Sequence, residues 1–264
     1  MVECRESLKR VKRVVVKVGT STLTYENGKL NLSRFEKLIR VLSDLKNRDV
    51  EVILVSSGAI GVGVGKLGLK ERPSITMEKQ AAAAVGQCEL MFLYDKMFSE
   101  YGYQIGQVLL TKDVLQDQER KQNVINTFIT LLKMQVVPIV NENDAVSTEE
   151  IEFGDNDTLS ALVAILADAE LLVILTDTEG LYDKDPRQFE DAKLIPQVKV
   201  IDDSVKALAG GAGSKRGTGG MITKVMAAEI AAEKGIKTIV CSGADPDVIH
   251  RIFDGEQIGT IFEA

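Results

Sequence analysis

Several short runs in this chain are apolar almost without interruption, and that pattern narrows the fold more than any other feature. Residues 13–18, 51–55, 136–140 and 171–175 are rich in Val, Ile and Leu, and 236–241 has the same character. Such a run has the length of a strand, and as a strand it must be covered on both faces, because no alternate position is polar. Between the runs lie segments with helical spacing, such as 31–48, where Leu32, Phe35, Leu38, Ile39, Leu42 and Leu45 share one face. Strand–helix alternation of this kind predicts an α/β fold: a mainly parallel sheet with helices on both faces.

Further helices are expected over 75–101, with a possible break near Gly86, and over 119–134, 158–166, 203–209 and 221–234. Another strand is expected over 104–110 and an edge strand over 259–262. The GVGVG stretch at 61–65 lacks the spacing of a dinucleotide fingerprint and reads as flexible backbone near a site or as close helix packing. No linker composition, repeat or low-complexity segment divides the chain. At 264 residues it is expected to form a single domain with two lobes at most.

Composition removes several classes of function. The net charge is −7 without a basic stripe, which disfavours nucleic acid; Lys9, Arg10, Lys12 and Arg13 form a short solvated lead-in to a strand. The three cysteines, Cys4, Cys88 and Cys241, are far apart and form no CxxC. This argues against a disulfide framework or a zinc site and fits a reducing cytoplasm. No apolar run reaches membrane-spanning length and no signal-peptide core opens the chain, so no membrane partner is expected. His250 is the only histidine, so histidine triads and histidine-rich metal sites are disfavoured. Chemistry here falls to carboxylates, lysines, hydroxyls and backbone amides.

Where the runs end, those groups gather. Residues 141–157, NENDAVSTEEIEFGDND, join a buried strand to a helix, which suits a ligand loop on a parallel sheet or an acidic solvated hairpin. Lys17 ends the first run, where burial is costly unless its charge meets an anion or carboxylate. The run, with Lys17 near its end, is followed at once by Gly19 and Thr20, whose amides can approach a ligand; an edge-strand lysine facing water would read similarly. Ser56-Ser57-Gly58 repeats this arrangement after the second run. The glycine-rich stretch 210–220 leads into a helix through Thr218, Gly219, Gly220 and Met221. Its N-terminal amides favour phosphate and Lys224 lies within reach, although a solvent-exposed glycine loop has the same composition.

Along essentially its whole length the sequence resembles the glutamate 5-kinase branch of the amino-acid kinase superfamily. The matching motifs are VVVKVGTS (14–21), VSSGAIGVG (55–63), AAVGQ (83–87), VPIVNENDAV (137–146), FGDNDTLSALVA (153–164), LTDTEGLYDKDP (175–186) and GTGGMITK (217–224). NENDAV followed by GDND is the pair specific to the branch; the strand-end lysine and TGGM…K are shared more widely. The resemblance implies an open three-layer sandwich around a mainly parallel sheet. It also implies the reaction of ATP with L-glutamate to give L-glutamyl 5-phosphate and ADP, the first step of proline synthesis.

Residue roles follow from the same resemblance. Lys17 and Lys224 would meet the transferring phosphate, Asp157 would lie close to the transfer centre, and Asp155 would orient the lysines. Ser57, Asp144 and Asn156 would hold glutamate. Gly19, Thr20, Thr176, Asp177 and residues 218–224 would hold the nucleotide, with Mg²⁺ bound mainly through its phosphates. The part up to about residue 165 is expected to bind glutamate and the part from about 166 to bind ATP. Many members of the family carry a C-terminal PUA domain, and this sequence stops where the kinase domain would end. Proline is expected as a feedback inhibitor. A homo-oligomer, dimer or tetramer, is expected through the apolar helix over 75–101, although a buried core helix would read the same. Three rivals remain: another small-acid kinase, acting on acetylglutamate, aspartate or carbamate; a non-catalytic sensor of nucleotide and amino acid; and the kinase half of a bifunctional proline-pathway enzyme.

Overall fold

The computed structural model describes residues 2–25, 29–111, 114, 117–146, 156–210 and 220–264. Its elements in chain order begin with α1 (Val2–Glu6), β1 (Arg13–Val18), α2 (Thr20–Leu23), α3 (Leu32–Asn47), β2 (Glu51–Val55), α4 (Ala59–Leu67) and α5 (Thr76–Ser99). They continue with β3 (Ile105–Leu110), α6 (Gln118–Lys133), β4 (Val137–Glu142), α7 (Asn156–Leu166), β5 (Leu171–Thr176) and β6 (Gln197–Val198). The last are α8 (Asp203–Ala209), α9 (Met221–Ala232), β7 (Lys237–Ser242), α10 (Val248–Phe253) and β8 (Thr260–Phe262). Helix starts fall where local chemistry places them. Asn31 accepts from the Arg34 amide, Asp117 from Glu119 and Arg120, and Asp202 from Val205, each filling an orphan donor of a first turn.

The strands form one sheet in the order β3-β4-β2-β1-β5-β7-β8-β6. Every pairing is parallel except the antiparallel contact of β7 with β8. β1 lies inside the sheet, with β2 on one side and β5 on the other, so successive connections leave it in opposite directions. In open parallel sheets such a reversal leaves a crevice at the carboxyl ends of the strands. Lys17 stands level with Val55 of β2 and Ile174 of β5, placing it at the floor of that crevice.

The strands are apolar throughout because both faces are covered. On one face Val14, Val16 and Val18 pack with Phe35, Leu38, Ile39 and Leu42 of α3 and with Leu90, Tyr94 and Phe98 of α5. On the other, Val15, Ile53 and Ile174 pack with Phe128 of α6, Ala161 and Val163 of α7, and Val225 and Ala228 of α9. Each fully buried large side chain contributes about 1.5–3 kcal/mol, so the three layers hold together by area rather than by any single contact. Buried Tyr94 also satisfies its hydroxyl, 2.8 Å from Ser56 Oγ beneath the crevice.

Three sequence expectations are refined. The helix over 75–101 runs unbroken through Gly86, and the GVGVG stretch is itself helical. A Cβ on Gly63 of α4 would fall 1.8 Å from the Ala82 carbonyl oxygen, and one on Gly86 of α5 would fall 1.8 Å from that of Ala59. These glycines let α4 and α5 touch backbone to backbone, which settles the stretch as close helix packing. β4 also continues two residues beyond the apolar run, carrying Asn141 and Glu142 into the sheet.

Candidate active site

Residue parity in β1 decides which way Lys17 points. Successive strand residues face opposite sides, so Lys17 shares a face with Val15, the side covered by α7 and α9. Its ammonium is thereby buried, with the residue 7% exposed. Asp157, in the first turn of α7 and fully buried, meets it with Oδ1 at 2.6 Å. From α9 comes Lys224, also buried, whose Nζ lies 3.0 Å from Asp157 Oδ2. One carboxylate therefore separates and fixes two ammonium groups drawn from different layers of the sandwich. Burial alone would push the Asp157 carboxyl up. The charges of Lys17 and Lys224 and their hydrogen bonds outweigh that, holding it well below the usual carboxylate range. The N-terminal end of α7 favours the anion further.

Thr223 completes this group; the sequence placed it only within the nucleotide stretch 218–224 and gave it no role of its own. Its Oγ lies 2.8 Å from Asp157 Oδ2 and 2.8 Å from the Gly220 carbonyl oxygen. Both neighbours are acceptors, so its one proton serves them alternately. The only available signal was its place beside Lys224 in the opening turn of a helix. The sequence assigned the orienting of the lysines to Asp155, which lies outside the described residues. Among those described, Asp157 holds both lysines directly.

A second group adjoins the first through the helix that carries Asp157. Asn156 Nδ2 donates toward the Ser56 carbonyl at 2.7 Å, Ser57 Oγ at 2.9 Å and Asn141 Oδ1 at 2.9 Å. Asn141 in turn donates from Nδ2 to Gln87 Oε1 at 2.8 Å. Ser57 and Asn156, both expected at the acceptor site, are thus in direct contact. Asp144 lines a neighbouring cleft of about 360 Å³ with Ala59, Ala83, Gln87, Cys88 and Glu142. Asn141 and Gln87 lay within recognised motifs, but the sequence alone gave neither a contact. Asn141 read as loop until β4 extended to include it.

The expected nucleotide residues are distributed around the same crevice. A Cβ on Gly19 would lie 3.9 Å from Lys17 Nζ, so that backbone passes close to the ammonium. Thr20 opens α2, and its side chain faces Gly58 and Gly61 at the head of α4. Thr176 ends β5 and donates from Oγ1 to Asp177 Oδ1 at 3.1 Å. Asp177 reaches Arg187 at 3.4 Å in an exposed pair. Gly220 and Met221 form the start of α9. Thr218 and Gly219 lie outside the described residues.

Two ammonium groups, one from a strand end and one from α9, fixed by a buried carboxylate, can neutralise an anion that reaches them. That is the requirement of phosphoryl transfer, in which positioning and charge stabilisation carry the catalysis. The model of the amino acid kinase family matches residues 12–242 of the chain. A glutamate 5-kinase of Clostridium perfringens is 56% identical over 264 residues, covering 98% of both chains. One from Clostridium tetani is 55% identical over 260 residues, covering 98% of this chain and 97% of its own. Among solved structures, carbamate kinase from Giardia lamblia bound to AMP-PNP superposes with a TM-score of 0.66, covering 97% of this chain and 99% of its own, at 14% identity, a likeness of fold. With the family model spanning most of its length and relatives more than half identical from end to end, the chain belongs to the amino acid kinase family, among the glutamate 5-kinases.

Proposed function

We propose that the chain transfers the γ-phosphoryl group of ATP to the side-chain carboxylate of L-glutamate, giving L-glutamyl 5-phosphate and ADP, the opening step of proline biosynthesis. The observation that carries this reading is the Lys17–Asp157–Lys224 group, set beside Ser57 and Asn156 in a chain over half identical to named glutamate 5-kinases. A glutamate carboxylate oxygen attacks the γ-phosphorus, a new P–O bond forms, and the bond to the bridging oxygen of ADP breaks. The nucleophile is already ionised near pH 7, so the step needs no general base and makes no use of His250. Lys17 approaches the transferring group from the acceptor side, with the Gly19 and Thr20 amides, and Lys224 from the nucleotide side. Asp157 keeps the two ammonium groups apart and aligned.

The residues up to about 165 supply the acceptor site, through Ser57, Asp144 and Asn156. Those from about 166 supply the nucleotide site, through Thr176, Asp177, residues 218–221 and Lys224. Both Asp157 oxygens are occupied by ammonium groups, and among the described residues no group of three or more His, Cys, Asp or Glu could hold a metal ion. Mg²⁺ would be held mainly through the nucleotide phosphates, where it would supply charge neutralisation. Proline inhibits in this reading by overlapping the acceptor site. Assembly into a homo-oligomer uses α5, which exposes Met77 and Phe92. The reading places this biosynthetic step in the cytoplasm; among the described residues no helix is long and apolar enough to cross a membrane.

An ADP-release assay across L-glutamate, N-acetylglutamate, aspartate and carbamate, with and without proline, tests the reading. Turnover with glutamate well above the others supports it; preference for another acid moves the chain to a different small-acid kinase. No turnover with any acceptor would favour a non-catalytic sensor.

A further inference from the structure

The amides beside the acceptor site form a chain whose polarity is fixed from both ends. The Ser56 carbonyl can only accept, so the Asn156 group 2.7 Å away must be its Nδ2. The Glu142 backbone N–H can only donate, so the Asn141 atom 2.9 Å from it must be Oδ1. Asn141 therefore turns its Nδ2 outward, and Gln87, at 2.8 Å, must answer with Oε1. That leaves the Gln87 Nε2 group as the donor end of the chain. Gln87 is half-buried and lines the cleft of about 360 Å³ that also holds Asp144.

The cleft has a particular charge problem. Among the described residues its charged lining consists of Glu142 and Asp144, with no lysine or arginine. Among the described lining residues, an α-amino acid entering there finds carboxylates for its ammonium group but no cation for its α-carboxylate. Neutral donors must serve, and the Gln87 Nε2 group is one whose direction the surrounding backbone already dictates. We propose that Gln87 is a specificity-determining residue, its Nε2 group donating to the α-carboxylate of the amino-acid acceptor. This rests on the reading of the cleft as part of the acceptor site. Preorientation through Asn141 and Asn156 would make the donor inexpensive to use, because its rotamer is set before the acceptor arrives.

The test uses Gln87→Glu, which keeps an oxygen for Asn141 Nδ2 to donate to and turns the cleft-facing donor into a negative acceptor. Gln87→Met serves as a second variant of similar length, and thermal melting checks that both fold. Steady-state kinetics are read with L-glutamate and with its α-amide, isoglutamine. The expected result for Gln87→Glu is a glutamate KM raised about tenfold to a hundredfold, the worth of one hydrogen bond to a charged group. The KM for ATP should move less than about twofold, and the preference for glutamate over isoglutamine should fall by about tenfold or more. A preference unchanged in both variants, whatever happens to KM, would make Gln87 a brace for Asn141 alone and overturn the proposal. Failure of the unaltered enzyme to phosphorylate glutamate at all would instead bring down the underlying assignment, and this inference with it.

Discussion

Lys17 of β1 and Asp157 of α7 meet at 2.6 Å at the floor of the crevice, joining the central strand to the helix that follows the acidic loop. The same carboxylate meets Lys224 with its other oxygen at 3.0 Å. Among the described residues, two buried positive charges thus share one counter-ion, an arrangement suited to receiving phosphate.

Removing that counter-ion should be costly. Asp157→Asn removes the carboxylate that two buried ammonium groups share, and breaking a buried pair of this kind costs about 3–5 kcal/mol. The pH dependence has a definite sign. The Asp157 carboxyl titrates below its ordinary value of 3.8 in the folded chain, so the unfolded chain takes up the proton first as pH falls. Its contribution is therefore complete above the ordinary aspartate range and is lost only in more acidic solution. Denaturant titrations should show the gap between parent and Asp157→Asn constant from about pH 7 to 5 and closing below about pH 4. A gap that closes between pH 7 and 5 would contradict the assignment.

The contact between α4 and α5 should be equally sensitive to one methyl group. Gly63→Ala and Gly86→Ala each place a Cβ 1.8 Å from a backbone carbonyl oxygen, and backbone cannot swing aside as a side chain can. Overpacking of this kind costs about 1–3 kcal/mol or more. Both variants should lower the melting temperature, whereas Gly68→Ala, at a site with nothing within 4 Å, should show only the strain of its positive φ. Full stability of Gly63→Ala would mean the helices are further apart than described.

The thiols offer a probe of the cleft. Cys88 is exposed and lines it, whereas Cys241 is buried, and burial pushes its thiol up to about 12. A maleimide at neutral pH should therefore label Cys88 rapidly and leave Cys241 unmodified in the native state. If the cleft receives the acceptor, saturating glutamate should slow labelling of Cys88 several-fold. Labelling indifferent to glutamate would place the acceptor elsewhere.

Much of this architecture was legible in the sequence, for identifiable reasons. Continuous apolar runs such as 171–175 required cover on both faces, and the helices at 3.6-residue spacing could only lie there. Lys17 stood out because a charge inside such a run demands a partner. Its partner could not be read, because only the first turn of α7 brings Asp157 to face the sheet. Thr223, Gln87 and the siting of Asn141 within β4 were hidden for the same cause: they depend on where distant elements meet. The GVGVG stretch stayed ambiguous because a glycine that permits close packing and one that permits flexibility are the same residue.

The most direct test of the two-lysine centre is steady-state kinetics on folded Lys17→Ala and Lys224→Ala. Only interactions that strengthen in the transition state raise kcat, and charge moves toward both lysines as the γ-phosphoryl group transfers. Each substitution should lower kcat by on the order of 10²-fold or more, the scale of losing one preorganised donor. The KM for glutamate should change little, and Lys→Arg should not restore the rate, since a planar fork cannot replace a point charge without moving. A near-normal kcat with ATP affinity alone reduced, in either alanine variant, would contradict the account and make that lysine a nucleotide anchor.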